Sequence, residues 1–125
     1  MTCPQCQQPL SHLDIENTSG EPKVVEECLN CGGHFLETYL INFISIETAR
    51  NIDSVLPKDP HVQLNNPVCH RCGQIMSSIR DGESFPQTVT VFNCPNNHGD
   101  FFPKGQLYLF KKAQQAKINY HKIWG

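Results

Sequence analysis

Seven cysteines, spaced as Cys3, Cys6, Cys28, Cys31, Cys69, Cys72 and Cys94, constrain this chain of 125 residues more than any other feature. In a reducing compartment such a density points to metal ligation rather than to disulfides, and an odd number would leave a closed disulfide framework with one thiol over. The spacing repeats. Cys3, Cys6 and Cys28 recur 66 residues later as Cys69, Cys72 and Cys94, with 21 residues between the second and third cysteine in both sets. The same offset pairs Leu10 with Met76, Val25 with Val91, Gly33 with Gly99 and Phe35 with Phe101, and sets Ile41, Phe43 and Ile44 against Leu107, Leu109 and Phe110. It sets Cys31 against Asn97, with His98 the next residue. The chain therefore reads as two copies of one module.

Each copy is shorter than a hydrophobic core alone stabilises comfortably. A structural zinc supplies the missing free energy, on the order of 10–16 kcal/mol where the site exists only in the folded state. Site one is Cys3-x2-Cys6 with Cys28-x2-Cys31, since a tight turn within each CxxC brings two sulfurs to one metal and the second pair closes the tetrahedron. Site two is Cys69-x2-Cys72 with Cys94-x3-His98. Asn97 competes for the last position by alignment, but imidazole is the better zinc ligand. The expectation is two zinc ions per chain. A thioredoxin-type redox pair needs a βαβ context that the doublets lack. Iron–sulfur binding fits four cysteines at site one, but a sister site with histidine makes zinc the simpler joint answer. His70, inside a knuckle, reads as pointing to solvent and His34 as a surface residue; His12, His61 and His121 have no partner at ligand spacing.

Between the doublets, residues 12–16 and 23–27, and again 77–80 and 87–92, alternate around turn-rich segments and read as hairpins. A knuckle, a hairpin and a second knuckle make a zinc ribbon. The predicted fold is a small zinc-stabilised α+β protein of two tandem ribbons, each followed by a helix: residues 1–50, a Pro-containing extended linker over 51–68, and 69–125. The helix expected over 104–123 places Leu109, Ala113, Ala116, Tyr120 and Ile123 on one face and Lys104, Lys111 and Lys122 on the other. The helix expected over 37–50 is apolar over a wide surface, and Tyr39, Leu40, Phe43 and Ile44 are its candidate partner surface.

Residues 1–66 hold nine acids and three bases, a charge of −6, and residues 67–125 hold three acids and seven bases, +4. Thiolate ligation takes the formal −2 of the chain to about −5 once both sites are loaded. That balance disfavours general polyanion binding. The alternative nucleic-acid reading rests on the basic C-terminal half, with Arg71, Lys104, Lys111, Lys112 and Lys122 as candidate contacts and Phe85, Tyr108 or Trp124 for stacking. No apolar run approaches a membrane span, and the start Met1-Thr2-Cys3-Pro4 lacks the basic and apolar regions of a signal peptide, so a cytoplasmic protein is expected.

Cys3-Pro4-Gln5-Cys6, Leu10 and Cys28-Leu29-Asn30-Cys31-Gly32-Gly33-His34-Phe35-Leu36 together resemble the transcription factor IIB-type zinc-ribbon family found in small bacterial proteins, whose pattern is CPxC, a Leu four residues on, then CxxCGG-x-W-L and a short helix. The resemblance covers 1–45 well and 69–113 more loosely; Phe35 replaces the family's Trp, and Cys69-His70-Arg71-Cys72 lacks its Pro. It implies a zinc ribbon with Cys3, Cys6, Cys28 and Cys31 as ligands and a small tail helix. Fold analogy does not by itself imply transcription.

Function reads as non-enzymatic. Both sites hold four protein ligands and so lack the open position that zinc catalysis needs. Glu26 and Glu27, the nearest acids, read as a solvated strand end. The expected role is an interaction module, a protein-binding adaptor or regulator acting on another protein or on a second copy of itself, with transcription or translation machinery a suitable partner. A zinc enzyme would require site two to be open, with neither Asn97 nor His98 a ligand.

Overall fold

Asn17 builds the first turn: its side-chain oxygen accepts the N–H groups of Ser19 and Glu21 at 3.0 and 2.9 Å, and Gly20 supplies a positive φ of 79°. The alternating segments on either side become β1 (Ser11–Glu16) and β2 (Pro22–Glu27), paired antiparallel from Ser11 opposite Glu27 to Glu16 opposite Pro22. The computed structural model describes residues 2–54, 56–59, 66–81 and 89–124, without the side chains of 79–81, 117 and 119–124. Residues 82–88, with Phe85, lie outside the described residues, as do His61 and the side chains of Tyr120, His121, Lys122, Ile123 and Trp124.

The second hairpin joins β4 (Ser77–Asp81) and β5 (Val89–Asn93), and each hairpin gains a short third strand after its second knuckle: β3 (His34–Leu36) and β6 (Asp100–Phe102). Sequence alternation missed these strands because three residues are too few to show a period. They matter most for the architecture. β3 and β6 pair antiparallel, so both copies enter one six-stranded antiparallel sheet of order β1-β2-β3-β6-β5-β4. In the seam His34 lies opposite Phe102, Phe35 opposite Phe101 and Leu36 opposite Asp100. Exchanging each residue for its repeat equivalent returns the same three pairs, so a local two-fold axis passes between Phe35 and Phe101.

Period-two alternation then sorts the seam residues onto two faces. Phe35 and Phe101 pack with Met76 and the buried cysteines of both copies. Leu36 and Phe102 face a second core with Val25, Val89, Val91 and the helical segments. The glycines explain the close approach: a Cβ on Gly33 would strike the Phe101 ring, and one on Gly99 would strike the Phe35 ring and the Leu36 carbonyl oxygen.

The apolar run over 37–50 does not form one helix. Leu40–Phe43 makes a 3-10 turn, Ile44 returns to extended backbone (φ −109°, ψ 134°), and Ser45 caps a new helix α1 (Ile46–Ile52) by accepting the Thr48 N–H at 3.1 Å. Ser is a strong N-cap, whereas the β-branched and aromatic residues before it favour helix weakly. The break folds the run onto the core. Leu40 and Ile44 are only 4% and 1% exposed, so they are core residues and not part of a partner surface; Tyr39 and Phe43 are 70% and 53% exposed. Because α1 extends to Ile52, the segment expected as a linker from 51 begins inside a helix, and Lys58 and Asp59 donate backbone hydrogen bonds to Leu29 and Asn30 of the second knuckle.

Helix α2 (Gln106–Trp124) fills the C-terminal expectation. Its first turn is capped from a distance, since Asp53 Oδ2 accepts the Tyr108 N–H at 2.7 Å. Lys111, expected on the face opposite Leu109 and Ala113 and as a nucleic-acid contact, is instead buried. Its Nζ donates to the Ile41 carbonyl at 3.1 Å and to Gln114 Oε1 at 2.7 Å, tying α2 to the 3-10 turn, and burial pushes its pKa down.

Candidate metal centres

Both CxxC turns of site one form because backbone amides fold back on the first cysteine of each pair. Cys3 N–H donates to Gln8 and Gln7 N–H to Cys3, while Cys28 N–H donates to Gly33 and Gly32 N–H to Cys28. Gln7 and Gly32 take positive φ, 66° and 82°, to close these turns. The turns bring Cys3 Sγ to 3.7 Å from Cys31 Sγ and Cys6 Sγ to 3.4 Å from Cys28 Sγ. A tetrahedron with metal–sulfur bonds of ~2.3 Å has edges of about 3.8 Å, so the sulfurs stand close to the spacing one metal ion requires.

Site two repeats the design. Cys69 N–H donates to Gln74 and Gly73 N–H to Cys69, and Gly73 holds φ 74° at the position equivalent to Gln7. Cys72 Sγ lies 3.5 Å from Cys94 Sγ, and His98 Nδ1 lies 3.5 Å from Cys94 Sγ and 3.8 Å from Cys69 Sγ. For one sulfur and one nitrogen ligand the corresponding edge is ~3.6 Å. Among the described residues there are thus two groups suited to binding a metal ion: Cys3, Cys6, Cys28 and Cys31, and Cys69, Cys72, Cys94 and His98, each with its donor atoms within 4.8 Å of one another.

Asn97 does not join this group. It takes a left-handed φ of 59°, and its carbonyl accepts the Thr38 hydroxyl at 2.9 Å. In the first copy the left-handed residue is Gly32, one place later, and the ligand Cys31 stands at the position of Asn97. Moving the left-handed turn one residue earlier lets the longer imidazole of His98 reach the metal position, and Asn tolerates that backbone region better than most residues. His98→Ala is accordingly expected to strip site two of metal, while Asn97→Ala leaves the metal content unchanged and costs stability modestly. Metal analysis of the two purified variants checks the order, and the reverse result would overturn the assignment.

Thiols this close share protons. Hydrogen bonds from Cys3 and Cys31 pull the Cys28 thiol far down, while Cys3 is driven far up, first by its bond to Cys28 and also by burial. The bond to Cys28 likewise pushes Cys31 up to about 12. At site two burial pushes Cys69 up to about 11, whereas the Gln74 backbone N–H, then the Asn96 side chain, bring Cys72 down to about 6. Thiols packed this closely ionise together only against a cation.

Two asparagines support the thiolates, and the repeat alone could have revealed them. Asn30 Nδ2 donates to Cys6 Sγ at 3.8 Å, and its equivalent Asn96 donates to Cys72 Sγ at 3.5 Å. Glu26 and Glu27 are not a solvated strand end: they are 4% and 7% exposed. Glu27 Oε2 bonds His34 Nε2 at 2.9 Å, and His34, itself buried, presents Nδ1 3.6 Å from Asp53 Oδ1. Burial raises the Asp53 pKa. Glu26 reaches across copies, with Oε2 3.1 Å from His70 Nε2 and Oε1 accepting Arg71 Nη2 at 3.0 Å. His70 packs edge-on against Phe35 at 4.5 Å, and its side chain is 2% exposed rather than solvent-facing. Arg71 lies over the same ring at 5.8 Å, so this candidate nucleic-acid contact is an intramolecular clamp. Of the other candidates Lys111 is buried, Lys112 lies over Tyr108 at 5.4 Å, Lys104 is exposed beside Gly32, and the Lys122 side chain lies outside the described residues.

Among the described residues no helix is long and apolar enough to cross a membrane. Comparison with family models, with curated proteins and with solved structures gives no match to this chain.

Proposed function

We propose that the protein is a non-enzymatic interaction module built of two zinc ribbons that share one sheet, each closed by one structural zinc ion. The observation that carries this reading is the donor geometry: each group supplies four protein ligands at tetrahedral spacing, leaving no position for a bound water or substrate. Sulfurs within 4.8 Å of one another suit a single ion better than a cluster whose iron atoms each take a different sulfur. Three thiolates with one imidazole is a donor set typical of structural zinc. The ribbon reading, and with it the resemblance to the transcription factor IIB-type family, is supported by paired knuckles flanking each hairpin. Native mass spectrometry of the cytoplasmically expressed protein is expected to give two zinc ions per chain. A single metal, or iron with visible absorbance, would overturn the reading.

A protein partner fits better than a nucleic acid. Arg71 is committed to Glu26 and Lys111 to Ile41, which removes two cations from the basic half, and loaded zinc–thiolate sites add negative charge. The exposed Tyr39 and Phe43 remain as the apolar part of the partner surface. Pull-down with wild type and with a Phe43→Asp variant tests this; retention of every partner by the variant would remove Phe43 from that surface.

A further inference from the structure

The two halves of the molecule differ at one pair of equivalent places, and the difference identifies a ligand chemistry. In one place, the Asp53 carboxylate at the end of α1 sits against His34 and accepts the Tyr108 N–H, with the Gly105 and Leu107 amides also turned to it. The repeat equivalents of His34, Gly105, Leu107 and Tyr108 are Asp100, Tyr39, Ile41 and Asn42. These four line an open cleft of about 380 Å³ on the other side of the seam. At the first place the Asp53 carboxylate takes the Tyr108 amide. At its equivalent Gln114 Nε2 donates to Asn42 Oδ1 and Lys111 Nζ to the Ile41 carbonyl. Among the described residues no carboxylate of a helix enters the cleft.

The chemistry of the cleft is inverted relative to its twin. The Glu27–His34 pair is replaced by Asn93–Asp100, in which Asn93 Nδ2 donates to Asp100 Oδ1 at 2.6 Å. That bond leaves the Asn93 carbonyl oxygen and the second Asp100 oxygen as acceptors, where the twin presents an imidazole to an acid. Phe102 and Phe110, in edge-to-face contact at 5.7 Å, contribute aromatic surface to the cleft. Tyr39, 70% exposed, stands at its mouth with φ 71°, a left-handed conformation that its equivalent Gly105 adopts with φ 79°. A tyrosine held where the repeat uses glycine is strained, and such strain gathers at binding sites.

A carboxylate, a carboxamide and aromatic rings lining one cleft match a flat cation with several donors. We infer that this cleft binds the guanidinium group of an arginine side chain presented by a partner protein, with Asp100 and Asn93 accepting its N–H groups and Tyr39 covering its face. The inference rests on the interaction reading and names the chemical group the partner supplies.

The zinc-loaded full chain should be titrated with N-acetyl-argininamide and with its neutral isostere N-acetyl-citrullinamide, following backbone amide shifts. Saturable shifts centred on Asn42, Asn93 and Asp100 are expected with the first probe. Binding roughly tenfold weaker is expected for the citrulline probe and for Asp100→Asn, because charge-assisted hydrogen bonds are lost. Asp100 lies near His98, so Tyr39→Gly provides the second test: it copies the twin residue, keeps the backbone conformation, and should melt higher while binding the probe several-fold more weakly. Absence of saturable shifts, equal affinity for the two probes, or unchanged binding in both variants would overturn the site. Tighter binding of free arginine than of the blocked amide would overturn its assignment to a partner's side chain. None of these outcomes alters the zinc count, so failure of this site is distinguishable from failure of the module reading.

Discussion

Replacing Cys28 by serine is expected to unfold the whole molecule rather than its first half. Metal binding of ~10–16 kcal/mol is as large as the ~5–15 kcal/mol that stabilises a typical domain, so the loss of one thiolate removes most of what holds a copy this small together. The extent of the collapse follows from the seam. Cys3, Cys28 and Cys31 pack in the same buried cluster as Phe35, Phe101, Cys69 and Cys94, and β3 supplies the neighbour that β6 needs. Unfolding the first copy exposes Phe101 and leaves β6 a bare edge. Thermal melts of Cys28→Ser and Cys94→Ser should each show one transition, strongly lowered or lost, with zinc depleted beyond one ion per chain. Two separate transitions, or one intact site with native exchange protection around it, would show that the copies fold independently.

Gly99→Ala is expected to be the most damaging substitution that touches neither metal nor charge. The added methyl meets the Leu36 carbonyl and the Phe35 ring, and a backbone oxygen inside a paired strand cannot move aside. Overpacking of this kind costs ~1–3 kcal/mol, and the upper end applies here. Gly33→Ala meets only the Phe101 ring, which can tilt, so its cost should be smaller. Calorimetry should place the Gly99 variant roughly 10 °C below wild type and the Gly33 variant between them. Equal melting temperatures for all three would mean that the seam is not packed this closely.

The cysteine donors were readable in the sequence because ligand chemistry depends on spacing, and the 66-residue offset marked three of the four positions twice. His98 was the exception: the offset falls on Asn97, and ligand chemistry rather than spacing singles out its neighbour. Hairpins and the long α2 were legible from alternation and helical period. What escaped reading was the partnership between copies. His34, His70, Glu26 and Arg71 look like surface residues when neighbours along the chain are all that is known; they are buried or clamped because the seam brings the copies together. Lys111 was misplaced for a related reason: helical period assigns a face but not which element covers it. The apolar run of 37–50 hid its break because Ser45 ends one element and begins the next without interrupting the hydrophobic pattern.

The axis between Phe35 and Phe101 is the symmetry operator of an isologous dimer written into a single polypeptide. In a true dimer every substitution appears twice, so a cleft filled on one side must be filled on the other, and a ligand pocket cannot be traded against a structural contact. Covalent fusion lifts that constraint. One half retains Glu27, His34 and Asp53 as an internal buttress, while the other carries Asn93, Asp100 and Tyr39 around an opening. The duplicated scaffold can therefore keep its stability in one copy and specialise in the other.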